Sequence, residues 1–139
     1  VKPIRLYGEG APLITFPNGS DPLVQIDCSE PAGVELHGIK LEGCASCLHV
    51  AQGAPVIKGC TITAQGKFGL LAEGNSDPQL QNNFFRDNKG TALLFKDSSH
   101  GLVQRNRFEG NSGICIDVRD GAWPDLHDNN FKNNLMWTV

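Results

Sequence analysis

The chain has 139 residues, 40% of them hydrophobic, with a formal net charge of −3 and an isoelectric point near 5.7. That acidic balance argues against a nucleic-acid partner, since a phosphate backbone rewards a dense basic patch. No apolar run approaches the ~20 residues of a membrane span, which argues against a membrane partner too.

The opening of the chain holds three short apolar stretches: Ile4-Arg5-Leu6, Leu13-Ile14-Thr15-Phe16 and Leu23-Val24-Gln25-Ile26. They read as the strands of an irregular first coil or two within residues 1–31. Over residues 32–139 the pattern is regular. Leu36-His37-Gly38-Ile39-Lys40-Leu41 matches Ile57-Lys58-Gly59-Cys60-Thr61-Ile62 at a spacing of 21, with a turn two residues shorter before Pro55. Between them, Cys47-Leu48-His49-Val50-Ala51 fits two registers one residue apart. An inward His49 would need a buried polar partner, so Leu48 and Val50 are placed inward and His49 outward.

From Pro55 the period is constant at 23 residues. Pro55-Val56-Ile57-Lys58-Gly59-Cys60-Thr61-Ile62 returns as Pro78-Gln79-Leu80-Gln81-Asn82-Asn83-Phe84-Phe85. It returns again as Gly101-Leu102-Val103-Gln104-Arg105-Asn106-Arg107-Phe108 and as Pro124-Asp125-Leu126-His127-Asp128-Asn129-Asn130-Phe131. A constant period of this size signals a stacked repeat. Its segments are short, alternate with period 2 and are separated by Gly, Asn, Asp, Ser and Pro, which is strand chemistry. No 3.6-residue apolar stripe supplies crossover helices. The fold class that meets these demands is all-β: one right-handed parallel β-helix domain of about six coils, ~4.8 Å apart, in a rod roughly 25–30 Å long.

A solenoid buries the same kind of residue at the same position in every coil. Ile57, Leu80, Val103 and Leu126 form one apolar row, and Ile62, Phe85, Phe108 and Phe131 a second. Leu70, Leu93 and Ile116 form a third, with Ala72, Phe95 and Val118 beside it. Asn83, Asn106 and Asn129 share one repeat position, with Cys60 substituting in the preceding coil, and Asn88, Asn111 and Asn134 share another. Asparagine tolerates tight-turn backbone, and stacked amides can hydrogen-bond from layer to layer.

The chain opens without Met and stops at Met136-Trp137-Thr138-Val139, where the next inward strand should run, so it reads as a piece of a longer protein. An uncovered coil end presents strand edges and an apolar cross-section, so end-to-end self-association is expected. Cys28, Cys44, Cys47, Cys60 and Cys115 lack the pairing of a disulfide scaffold and read as plain thiols, Cys60 as a core residue. Cys44-Ala45-Ser46-Cys47 has zinc-ligand spacing, but there is no second pair and His37 and His49 substitute poorly, so no metal or other cofactor is assigned. Reduced cysteines place the protein inside the cell, in the cytoplasm with the nucleus left open. Asn18-Gly19-Ser20 fits a glycosylation sequon, which has no consequence in the cytosol.

Asn75-Ser76-Asp77-Pro78, followed by Gln79-Leu80-Gln81-Asn82-Asn83 and Asn88-Lys89-Gly90, resembles the parallel β-helix repeats shared by carbohydrate-binding proteins and sugar hydrolases. With the alternative opening His100-Gly101-Leu102-Val103, the 23-residue unit is similar to the repeats of F-box-only proteins and of the SHC SH2-domain-binding protein. Ile4-Arg5-Leu6-Tyr7-Gly8-Glu9-Gly10 resembles the first coil of pectin-lyase-like folds. The resemblance implies either recruitment of a protein substrate or sugar chemistry. The catalytic Asp, Arg or Lys sets of pectate lyases and polygalacturonases map onto no position, so no catalytic residue is assigned.

The outward positions of the best-defined strand row are Leu71, Leu94 and Asp117, then Glu73, Lys96 and Arg119, with Gln25 and His49 extending it upstream. Two outward leucines framed by a ladder of alternating charge form an apolar patch of the kind that contacts a partner. The expected function is a non-catalytic module that recruits another protein through Leu71, Leu94, Asp117, Glu73, Lys96, Arg119 and His49. The alternative is carbohydrate binding or polysaccharide processing through Gln25, His49, Glu73 and Asp117. Sugar platforms present exposed aromatics, whereas the Phe row is placed inward and Trp123 and Trp137 stand isolated.

Overall fold

The computed structural model describes residues 4–10, 12–15, 22–27 and 33–136; Asn18-Gly19-Ser20, Cys28 and Trp137 lie outside them. In chain order the strands are β1 (Ile4–Tyr7), β2 (Leu13–Thr15), β3 (Pro22–Asp27), β4 (Val34–His37) and β5 (Lys40–Gln52). Then come β6 (Val56–Lys58), β7 (Thr61–Ala72), β8 (Gln79–Gln81), β9 (Phe84–Arg86) and β10 (Thr91–Phe95). The last are β11 (Leu102–Gln104), β12 (Arg107–Glu109), β13 (Ile116–Val118), β14 (Asp125–His127) and β15 (Asn130–Lys132). Every pairing among them is parallel, and each strand pairs with its equivalent one coil away. The first sheet stacks β1, β4, β6, β8, β11 and β14. These six strands correspond to the expected six coils, and they enclose about five turns.

The apolar rows stand in register. Leu36, Ile57, Leu80, Val103 and Leu126 pair in succession, as do Leu41, Ile62, Phe85, Phe108 and Phe131. Leu48, Leu70, Leu93 and Ile116 make the third row, beside Val50, Ala72, Phe95 and Val118. The coil spacing forces Phe85, Phe108 and Phe131 face to face, with centroids 4.8 and 5.0 Å apart and planes within 9°. The irregular opening is a single coil: Leu6, Ile14, Val24 and Ile26 register onto Leu36, Leu41, Leu48 and Val50.

The corners explain the period. In the later coils each corner turns on one residue with positive φ: Asn82 (53°), Arg105 (54°) and Asp128 (53°) at the first, Asp87 (52°), Gly110 (67°) and Asn133 (54°) at the second. Gly74 (63°), Asp97 (61°) and Asp120 (56°) make the third. Glycine, Asn and Asp enter this left-handed region at least cost, and Arg105 is held there against its preference. The column asparagine follows immediately. Asn83 Oδ1 accepts from Cys60 N at 3.0 Å, while its Nδ2 donates to Ile57 O at 2.8 Å and to Asn106 Oδ1 at 3.1 Å. Asn88 does the same with Ala64 N, Ile62 O and Asn111 Oδ1. Backbone groups that a sharp corner would orphan in the core are thereby satisfied.

Two expectations need correction. Cys44 and Cys47 are not plain thiols: they form a disulfide, whereas Cys60 and Cys115 are free and buried. The ground for placing the protein in a reducing compartment is removed with them. The two residues missing from the second coil are also not both in the turn before Pro55. Leu41 to Leu48 spans seven residues, against eight from Ile62 to Leu70, so one is lost at the disulfide bend, where the β5–β7 register shifts. That loss produced the one-residue ambiguity around His49.

Candidate functional site

The expected outward row exists as a register. Gln25, His49, Leu71, Leu94 and Asp117 pair in succession across five coils. Glu73 ties two of those coils to a third: its carboxylate lies 2.6 Å from His49 Nε2 and 2.6 Å from Lys96 Nζ. The hydrogen bond from Lys96, aided by His49, holds the Glu73 carboxyl below its ordinary range, and the same contact raises the Lys96 ammonium. The charge ladder stops there, because Arg119 turns back to Asp117 at 2.8 Å on its own strand.

The apolar patch is smaller than expected. Leu71 is only 7% exposed and belongs to the buried residues, while Leu94 is half-buried. The ion-paired chain of His49, Glu73 and Lys96 occupies the same face on either side of Leu71, and long side chains fixed this way cover apolar surface. An acidic residue at position 71 would therefore bury a charge instead of merely editing a surface.

A second assembly lies on the turns joining this face to the first sheet. Asp77, His100 and Trp123 occupy one repeat position, each held to the previous coil by its backbone N–H: Asp77 to Gly53 O, His100 to Ser76 O and Trp123 to Ser99 O. The His100 and Trp123 rings lie 5.2 Å apart at 53°. Trp123 is 69% exposed, and its one ring neighbour among the described residues is His100. Beside this row Gln79, Leu102 and Asp125 stand in register on β8, β11 and β14. Together with Gly101 these residues line an open groove of ≈ 360 Å³.

At the far end of the first sheet Glu35 collects three partners. Tyr7 Oη donates to it at 3.0 Å, His37 Nε2 lies at 3.2 Å and Arg5 Nε at 3.4 Å, with the Tyr7 and His37 rings stacked at 4.7 Å. The Tyr7 hydroxyl holds the Glu35 carboxyl low, and the carboxylate in turn raises the tyrosine. Among the described residues no three His, Cys, Asp or Glu side chains converge as a metal site. Nor is any helix there long and apolar enough to cross a membrane.

A family model for the right-handed β-helix region matches residues 24–136. The chain belongs to that family. No curated protein and no solved structure matches it. For this β-helix the family establishes the coil and leaves the outward side chains to speak for function. Asp77, His100 and Trp123 lie in turns and Gln79 and Asp125 on another strand row, so the outward positions of the best-defined row did not include them. The signal was present: 77, 100 and 123 are two further steps of the 23-residue period, taken in a turn.

Proposed function

We propose that this β-helix is a non-catalytic module that recruits a protein partner across the corner made by residues 96–100 and 119–124. The observation that carries the reading is Trp123, largely exposed on a turn whose backbone is bonded to the coil before it, with its ring beside that of His100. Tryptophan dominates interface energetics, and a preordered one loses little entropy on binding. On one side of the corner lie Leu94 and the pairs Glu73–Lys96 and Asp117–Arg119; on the other lies the groove. The outward carboxylates Glu73, Asp117 and Glu35 are engaged in ion pairs, an arrangement that suits recognition better than proton transfer.

Trp123→Ala should weaken capture of the partner by tenfold or more, since truncating an interface tryptophan costs ~2 kcal/mol or above. Leu94→Asp should weaken it less. Capture unchanged by both variants would remove the reading. A second reading, carbohydrate recognition, is supported by an exposed aromatic ring with a polar rim. Saccharide binding on a glycan array that disappears in Trp123→Ala would put it first.

A further inference from the structure

We infer that the groove at Trp123 receives a cationic side chain, an arginine or lysine from a basic segment of the protein partner; this rests on the partner-recruiting reading above. Gln79 Nε2 is spent inside the groove, donating to Asp77 O and to Asp77 Oδ1, both at 3.0 Å. What remains for a ligand is one oxygen of Asp77, the amide oxygen of Gln79 and the carboxylate of Asp125. Asp125 enters no ion pair among the described residues and is exposed. His100 Nδ1 stands 3.7 Å from Asp77 Oδ1, beyond hydrogen-bond length.

The charge around the corner has the same sign. Asp97 and Asp120 occupy the adjoining turn, while the nearby cations Lys96 and Arg119 are committed to Glu73 and Asp117. A groove rich in acceptors and net negative selects a ligand that donates and carries positive charge. The Trp123 face adds a cation–π surface, on which a planar guanidinium stacks while its N–H groups reach the carboxylates. A neutral sugar finds two uncommitted donors there, the Trp123 indole N–H and a His100 ring N–H, but gains nothing from the charges of Asp77 and Asp125. An acidic ligand would meet Asp77 and Asp125 as like charges. At ≈ 360 Å³ the open groove has room for a long cationic side chain and the residues flanking it.

The test follows the Trp123 indole N–H resonance of the full chain, assigned by its loss in Trp123→Phe. The chain is titrated with an alternating arginine–glycine octapeptide, with the same peptide carrying citrulline, and with neutral oligosaccharides. The arginine peptide should shift the resonance saturably, with the citrulline peptide about tenfold weaker. Asp125→Asn, at an exposed position, should keep the fold and lose about tenfold in affinity, and the arginine response should fall as salt rises from roughly 50 to 300 mM. Equal responses to arginine and citrulline, or none at about 10 mM peptide, overturn the inference. If partner capture still depends on Trp123 in that case, the recruiting reading stands and only the cation is wrong. A Trp123 response confined to oligosaccharides overturns both.

Discussion

In the coils from Gln79 onward the two inner corners are closed by asparagines, whereas in the coils before it the first corner holds Cys60 and Ile39 and the second holds Ala64 and Cys44. The Asn129–Asn106–Asn83 column ends on Cys60 N, and Cys60 Sγ makes only long contacts of 3.6 Å with Leu36 O and Lys58 O. The Asn134–Asn111–Asn88 column ends on Ala64 N, and Ala64 registers onto Cys44 of the disulfide. The geometry changes with the chemistry. At the second corner, where an asparagine follows a residue of positive φ, the strand breaks into β9 and β10, or β12 and β13; in the earlier coils, with no asparagine there, β5 and β7 run through that bend as long strands. A coil needs its corner polar groups satisfied; at the second corner the asparagine goes with a break in the strand, whereas the first corner turns as sharply on Gly59–Cys60 as on Asn82–Asn83.

The apolar rows are common to both regions, so truncating them should hurt both. Phe108→Ala leaves a cavity between Phe85 and Phe131 and should cost ~3–5 kcal/mol; Leu41→Ala, in the earlier coils, should cost ~2–5 kcal/mol. Urea melts measure both, and a loss below ~1 kcal/mol for Phe108→Ala would show that its row does not carry the stack.

The corners should separate the regions. Asn106→Ala strips the acceptor from Asn83 N and the donor from Leu80 O, both in the core, and should cost at least ~2 kcal/mol. Cys60→Ala removes a weak donor and a little volume and should cost nearer ~1 kcal/mol. Equal losses in parallel melts would erase the distinction drawn above.

The disulfide comes next in size. It closes a loop of sequence separation 3, for which chain entropy gives ~2 kcal/mol. Reduction should lower the unfolding free energy by that much, and hydrogen exchange should accelerate in residues 40–52 while residues 79–110 stay protected. Uniform acceleration would mean that the two regions open as one unit.

The smallest effect is expected on the outer face. Glu73 titrates below its ordinary value of 4.5 in the folded chain, so its contribution is complete above pH 4.5 and is lost as pH falls through the lowered folded value. Glu73→Gln should remove that portion of the acid slope in midpoints measured between about pH 6 and 3. An unchanged slope would mean that the His49–Glu73–Lys96 chain adds nothing to coil cohesion.

Much of this protein could be read from its residues by arithmetic. A 23-residue step aligned the Ile57, Ile62 and Leu70 rows and the two asparagine positions, because a parallel stack repeats each residue's environment at constant spacing, while the outward parity of His49 followed from the cost of burying an unpartnered imidazole. The same step contained Asp77, His100 and Trp123, which lie in turns off the best-defined strand row. Other features depended on neighbours in space. Whether Leu71 is bare or covered is decided by the coils on either side, which set His49 and Leu94 in register with it. Whether Cys44 and Cys47 meet depends on a bend one residue short, which no spacing rule foretold. Whether Trp123 stands alone depends on a turn stacked against the coil before it. Period is a property of the chain, whereas exposure, pairing and charge balance belong to surfaces that exist only once the coils are stacked.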